Sequence, residues 1–247
     1  MHERVGETSI SNEGYKMTIV EYYTNRKVIV EFENGYRTHA QYAQFQDGRL
    51  KNPYHKSVYG VGYFGEGKHV GLIGRKKSHK YQIWSSMMMR CYDSRFHEIQ
   101  PTYIGCTVHE DWHNYNVFGD WYDENIYNID GEKMALDKDI ARKGNKIYSP
   151  DTCIFVPIRI NNLFANKVPE KSLYPIGVTR IRNKFLAQCQ FNGKKHHLGY
   201  YDTPEEAFVV YKQFKENAIK DVANEYMGKI PLKLYYAMMT YEVEITD

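Results

Sequence analysis

Hydrophobic and polar positions alternate along the N-terminal quarter of the chain. The segment KVIVEF places Val28, Val30 and Phe32 on one face, with polar positions mostly between them. This period of two is typical of a half-buried strand. The neighbouring ENG and QDG triplets are turn signals. We therefore expect three to five short antiparallel strands within residues 14–60, forming a small SH3-like barrel or curled sheet.

The periodicity becomes helical after a Gly- and Tyr-rich stretch, residues 52–74, which we expect to be a linker or extended arm. In YQIWSSMMMRCYDS, Ile83, Met87 and Cys91 recur at intervals of four residues. This spacing predicts an amphipathic helix. The aromatic residues of DWHNYNVFGDWYDEN also follow helical spacing. They are typical of a buried core, with a base-stacking stripe as the functional alternative.

The C-terminal pattern predicts three strands followed by a helix. The strands are GVTRIR, KFLAQCQF and KKHHLGYY, and the turn FNGKK joins the last two. Thr203 is the expected N-cap, because Pro occupies the first helical position and Glu206 completes a capping box. Alternation places Gln188 and Gln190 on the face away from the helix. A last helix is expected after Pro231.

Composition adds weak constraints. The net charge is only +3, but basic residues cluster in GRKKSHK and along residues 179–197. Such clusters are candidate phosphate contacts only where a binding fold lies beneath them. The four cysteines form no CxxC pair, and we find neither a secretion signal nor a membrane-spanning apolar run. We expect a cytoplasmic protein with reduced thiols, in a bacterial host cytosol if phage-encoded, and no membrane partner.

Residues 174–226 resemble the DNA-binding domain of the plant ethylene-response-factor (AP-two) family, a branch of which is fused to HNH homing endonucleases in phages and bacteria. The resemblance rests on the Gly-Val pair at 177–178, the strand KFLAQ, the turn HLGYYDTPEEA and Tyr211. It implies a three-stranded sheet in the major groove of double-stranded DNA. This chain departs from the plant pattern, with Gln188, Gln190 and His197 where plants carry Glu, Arg and Trp.

The candidate DNA contacts are the polar residues of this predicted sheet. For the first strand, either Arg180 and Arg182 or Thr179 and Ile181 face DNA, and arginine chemistry favours the first pair. The full candidate set comprises Arg180, Arg182, Lys184, Gln188, Gln190, Lys195 and His197. The same sheet–helix unit could instead bind protein.

Residues 81–164 resemble a phage HNH-type nuclease family, through YQIWSSMMMRCYD, PTYIGCTVHEDW and ALDKDI with GNKIYSPDTCIFVPIRIN. The resemblance implies a ββα core that grips one divalent metal ion, expected to be Mg²⁺. Asp137 and Asn161 match the metal ligands of the family. Thr152 stands where the middle Asn usually lies, and Lys138 stands where the histidine base usually lies.

Lys138 cannot be the general base, because an ordinary lysine is protonated at neutral pH. It is better suited to stabilising phosphate charge. Other candidate bases are Asp139, Tyr148, His109 and His113. The spacing C-x₂-H-x₃-H that ends at His113 lacks a fourth ligand, so Zn²⁺ is not expected.

Together these patterns predict an α+β chain of three modules: a small β module and linker at 1–70, an HNH-like core with flanking helices at 71–170, and a DNA-binding sheet packed on a helix at 171–247. The implied function is sequence-specific DNA binding with metal-dependent phosphodiester hydrolysis. A catalytically inactive DNA-binding regulator, or a phage factor that binds a host protein, remains the alternative.

Overall fold

The computed structural model describes residues 3–164 and 173–245 and has the predicted α+β composition. Its chain divides into two compact units. The first comprises Met1–Thr102 and Glu110–Asp120, and the second comprises Tyr103–His109 and Trp121–Asp247. The predicted module boundaries at residues 70 and 170 do not coincide with this division. In the described residues, none of the helices combines the length and the apolarity needed to cross a bilayer.

The first unit begins with an antiparallel sheet in the order β1-β2-β3-β4. Its elements are β1 (Thr8–Ile10), β2 (Lys16–Thr24), β3 (Lys27–Phe32), β4 (Arg37–Ala40) and the helix α1 (Tyr42–Gln46). The predicted alternation is confirmed, since Val28, Val30 and Phe32 are buried against Phe45 of α1. These residues form a core of their own, although the sheet is not shown to be an SH3 fold.

The remainder of the first unit is helical and aromatic. Its elements are β5 (Leu72–Ile73), β6 (Lys76–Lys77), α2 (His79–Tyr92), α3 (Ser94–Ile99) and the first part of α4 (Tyr115–Asn125). Phe64 stacks on Tyr81 and meets Tyr115 edge-on, with ring centroids 5.5 and 5.4 Å apart. The Trp84 indole donates to the Trp112 carbonyl at 2.7 Å. The expectation of an extended arm is therefore wrong for Phe64, which packs in this aromatic core.

The middle of the second unit contains two small strand pairs. Its elements are β7 (Thr107–Val108), β8 (Met134–Asp137), β9 (Ile147–Tyr148), β10 (Ile154–Pro157) and α5 (Ile158–Phe164). Strands β8 and β10 are antiparallel, whereas β7 and β9 are parallel. Helix α5 packs against both β8 and β10. This β-strand–loop–β-strand–helix order positions Asp137 at the end of β8.

The C-terminal elements follow the predicted pattern. They are β11 (Val178–Ile181), β12 (Lys184–Phe191), β13 (Lys194–Tyr201), α6 (Pro204–Glu225) and α7 (Leu232–Met239). The three strands are antiparallel and adjacent in chain order. Thr203 Oγ1 accepts the Glu206 N–H at 3.2 Å, and the Glu206 carboxylate accepts from the Thr203 N–H, which confirms the capping box.

Helix α6 contributes side chains to two hydrophobic cores. This explains why one compact unit contains both the C-terminal sheet and the β8–β10–α5 region. Its first half buries Ala207 and Tyr211 against the sheet. Its second half buries Ile219 and Val222 in a cluster with Val156 and other residues of β10 and α5. A helix of 22 residues spans about 33 Å, enough to cover both surfaces.

Candidate nucleic-acid interface and the Asp137 loop

The strand register brings the predicted polar residues together on one side of the β11–β13 sheet. Gln188 lies opposite His197, and Gln190 lies opposite Lys195. Ala187 and Cys189, which alternate with these glutamines, are buried in the core beneath α6. We call the side opposite α6 the outer face. The register shifts between Ala187 and Gln188, where Leu198 of the neighbouring strand has no partner.

The first strand contributes a threonine to the outer face. Gln188 Nε2 donates to Thr179 Oγ1 at 3.0 Å, so these side chains share a side of the sheet. Val178 is buried beneath α6, and Arg180, two residues further along β11, faces the same side of the sheet. The expectation that Arg180 and Arg182 share the face of Gln188 is therefore wrong, because Thr179, and by alternation Ile181, lie on the outer face.

Arg180 lies within β11 and has the parity of the helix-packed side, whereas Arg182 lies in the turn after β11. Arg180 Nε donates to the Arg182 carbonyl at 3.2 Å. Arg182 has a φ of 56° in the turn between β11 and β12. Both side chains are exposed.

The outer face combines exposed polar side chains with an unpaired acceptor. Gln190, Lys195 and His197 are exposed, and Lys184 is ion-paired with Asp202. Gln188 Oε1 is buried and has no hydrogen-bond partner among the described residues. A pocket of about 240 Å³ opens here, lined by Gly177, Val178, Thr179, Gln188, Cys189, Gln190 and Lys195. An unpaired buried amide oxygen is costly and marks a site that a donor could occupy.

Asp137 closes the turn that follows β8. Its Oδ1 accepts the backbone N–H groups of Asp139 at 2.9 Å and Ile140 at 2.7 Å. Burial, and next the charge of Asp139, raise the pKa of Asp137 to about 6, although the two backbone donors oppose this. Asp137 Oδ2 has no hydrogen-bond partner among the described residues. The carboxylate is therefore half-buried, and it forms no ion pair with a described residue.

Lys138 points into the loop and is already paired. Its Nζ donates to the Asp139 carboxylate at 2.8 Å and to the Asn145 carbonyl at 2.9 Å. Burial lowers the pKa of Lys138, but the hydrogen bond and charge of Asp139 outweigh this and raise it. The ammonium therefore stays charged. Only 9% of the residue is exposed, so the expected phosphate-facing role would require this pairing to open.

Asn145 was missed in the sequence, although it holds the loop together. Its Nδ2 donates to the carbonyls of Lys138 at 2.8 Å and Ile147 at 2.7 Å. The Gly-Asn pair at 144–145 was the available signal, because Asn side chains readily bond to nearby backbone. Thr152 has a similar local role, since its hydroxyl donates to the Ile147 carbonyl at 2.8 Å.

The two candidate histidines lie in different compact units. The His109 N–H donates to the Tyr148 carbonyl at 2.8 Å, because β7 continues alongside β9. Its side chain is exposed, whereas Tyr148 is only 2% exposed. His113 belongs to the first unit, where its Nε2 lies 3.3 Å from the Tyr92 hydroxyl. Only His109 of this pair is brought alongside the strand that flanks the Lys138 loop.

The two predicted metal ligands, Asp137 and Asn161, lie on elements that pack together, since α5 contacts β8. Asn161 lies on α5 and its side chain makes no hydrogen bond to any described residue. Asp137 Oδ2 and the Asn161 amide oxygen are thus unused oxygen donors on adjacent elements. Mg²⁺ accepts such a set, because it retains waters and binds substrate phosphates. No group of three or more His, Cys, Asp or Glu residues suited to a metal occurs in the described part of the chain.

Comparison of the chain with protein-family models, with curated proteins and with solved structures yields no match.

Proposed function

We propose that the chain binds double-stranded DNA through the outer face of the β11–β13 sheet. The observation that carries this proposal is the placement of Gln188, Gln190, Lys195 and His197 side by side, opposite the helix-packed face. The major groove is about 12 Å wide and admits a small β-sheet. Glutamine side chains pair with adenine edges, and lysine pairs with guanine or phosphate.

Gln188 is the side chain of the outer face whose hydrogen bonding best suits contact with a base. Its hydrogen bond to Thr179 fixes one amide proton, while Oε1 lacks a donor among the described residues. Turning of the amide towards the groove would pair this oxygen with the amino group of adenine. Lys195 is exposed beside it on the neighbouring strand, where an ammonium can contact a phosphate.

The test begins with selection of bound sites from randomised duplexes, followed by anisotropy titrations over a range of salt. Gln188→Ala is expected to weaken binding of the selected duplex about 5- to 150-fold, the loss of about 1–3 kcal/mol for one bidentate base contact. Lys195→Ala is expected to weaken all duplexes alike and to reduce the salt slope by about 0.9.

Gln46→Ala is the matched control, because Gln46 is an exposed glutamine in the first unit. It should leave binding unchanged. Failure to enrich any duplex, or affinity that does not respond to salt, would reject DNA binding by this face.

A second candidate function is hydrolysis of a DNA phosphodiester at the Asp137 loop. It is favoured by one specific observation, the half-buried Asp137 carboxylate, which has a raised pKa and an unused Oδ2. Asp137 and Asn161 would hold the divalent ion. Such an ion, when bound, stabilises developing phosphate charge and lowers the pKa of water.

The remaining residues of the loop have separable roles in this proposal. Asp137 Oδ1 keeps the turn closed, while Lys138 neutralises Asp139 and remains a cation. The His109 imidazole is the proposed proton acceptor for the attacking water, since His109 follows β7, which pairs with β9 at the end of the Lys138 loop.

Cleavage and metal binding should be measured separately. Asp137→Asn is expected to abolish nicking of the selected duplex with Mg²⁺ or Mn²⁺ and to remove Mn²⁺ binding seen by calorimetry, with duplex affinity retained. Asp151→Asn is the control, because Asp151 is an exposed acid three residues before β10. Intact DNA binding without cleavage under any divalent ion would reject hydrolysis and leave a non-catalytic DNA-binding regulator.

A further inference from the structure

The β5–β6 hairpin presents apolar side chains to solvent in the first unit. Leu72 and Ile73 pair with Lys77 and Lys76. All six residues from 72 to 77 are exposed, with Leu72 at 58% and Ile73 at 70%. Gly74, with a φ of 61°, begins the turn directly after Ile73. The most exposed apolar side chain of the hairpin therefore lies next to its tip.

The base of this hairpin is fixed to the aromatic core. The Ser78 N–H donates to the Gly71 carbonyl at 2.9 Å, which closes the hairpin. The hydroxyls of Ser78 and Tyr115 both donate to the Val70 carbonyl at 3.1 Å. Ser78 Oγ also accepts the Tyr81 N–H at 3.2 Å and so caps α2. The tip of the hairpin is therefore exposed, although its base is held in place by hydrogen bonds.

The charge of the hairpin is uniformly positive. Arg75, Lys76 and Lys77 are exposed, and none of them forms an ion pair with a described residue. Lys77 Nζ lies 5.5 Å from the ring centroid of Tyr81. The sequence from residue 67 to residue 92 contains neither Asp nor Glu. This segment is therefore complementary to a polyanion.

We propose that the β5–β6 hairpin is a minor-groove wedge, in which Ile73 enters a base step while Arg75 and Lys76 contact the flanking phosphates. The proposal rests on the proposed DNA binding but uses a different surface. Proteins that kink DNA commonly insert a single apolar side chain flanked by cations into the minor groove. One isoleucine suffices for a base step, whereas anchoring in a bilayer surface needs a broader apolar face.

The experiment measures DNA bending separately from affinity. A duplex of about 30 base pairs with a flexible central TA step carries a fluorophore at each end, and energy transfer reports the bend. The wild-type protein is expected to bend it by about 20–90°. Ile73→Ser should abolish most of this bend while leaving the salt slope unchanged. Arg75→Ala combined with Lys76→Ala should make the slope shallower by about 1.8.

Matched controls come from other exposed positions. Val209 on α6 is an apolar residue at 61% exposure, so Val209→Ser should leave bending intact. Lys56→Ala, at an exposed lysine of the same unit, should leave the salt slope intact. Circular dichroism checks that every variant retains its fold.

Three outcomes would overturn the inference, and they are distinguishable. Unchanged bending by Ile73→Ser, in a protein that still loses affinity with Gln188→Ala, rejects the wedge alone. Binding to anionic phospholipid vesicles that depends on Ile73, with duplex bending unaffected, assigns the hairpin to a membrane surface instead. Absence of any salt-sensitive duplex binding by the wild-type chain rejects the wedge together with the proposed function.

Discussion

Replacing Asp137 with Asn is expected to stabilise the second compact unit more at alkaline than at acidic pH. Asn keeps an Oδ1 that can accept the backbone N–H groups of Asp139 and Ile140, so the turn is preserved. The substitution removes only the charge. Wild-type Asp137 has its pKa raised from 3.8 to about 6 by burial and by Asp139. Folding therefore favours the protonated form of this carboxyl.

The magnitude follows from this shift. A rise of about two pKa units corresponds to about 3 kcal/mol that the ionised carboxylate costs the fold. The cost is absent below the unfolded-state pKa of Asp137 and is complete above about pH 6, because the raised folded pKa favours protonation in the native state. The Asn amide adds a pH-independent desolvation cost, so the change with pH is the informative quantity. The Asp137→Asn advantage should grow by about 2–3 kcal/mol between about pH 4 and pH 8.

The assay is urea unfolding of fluorotryptophan-labelled protein, followed by fluorine NMR. Trp121 reports on the second unit, because it packs 5.4 Å from the Phe155 ring there, whereas Trp84 and Trp112 report on the first. Asp151→Asn is the exposed control. A stability difference between Asp137→Asn and wild type that stays constant across this pH range would refute the reasoning.

Substitutions at three further positions test the contacts that support the outer face and the Asp137 loop, each by urea unfolding followed by circular dichroism. Thr203→Ala should cost about 1 kcal/mol through loss of the α6 capping box, and Thr203→Ser should restore most of it. Gly177→Ala should cost more than about 2 kcal/mol, because φ is +76° and the added Cβ would lie 2.0 Å from Tyr211; a neutral effect would contradict this packing. Lys138→Met should lower the free energy of unfolding by about 1–2 kcal/mol, because it leaves the Asn145 carbonyl unpaired and removes an ion pair to the half-exposed Asp139. An unchanged urea midpoint would show that this ion pair is not stabilising.

The C-terminal sheet was predictable because each local signal agreed with its neighbours. The bounds of β12 and β13 match KFLAQCQF and KKHHLGYY, since alternation and the FNGKK turn define the same register. Thr203 and Glu206 defined the start of α6 in the same way. The outward placement of Gln190 and His197 followed from the same period of two.

The unpredicted features depend on contacts distant in sequence or on the register of one short strand. The chemistry of arginine favoured Arg180 for the outer face. Arg180 instead lies on the same side of β11 as the buried Val178, because alternate residues of a strand share a face. The pairing of Lys138 with the Asn145 carbonyl requires the loop to fold back on itself. Likewise, the hydrophobic periodicity of α6 does not indicate that the second half of the helix packs against β10.

The central claim, that the outer face of the β11–β13 sheet contacts DNA, is tested most directly by NMR of the glutamine side-chain amides. Titration with the selected duplex is expected to shift the amide resonances of Gln188 and Gln190, while that of the exposed Gln46 stays in place. Unchanged Gln188 and Gln190 resonances at saturating duplex would contradict the claim.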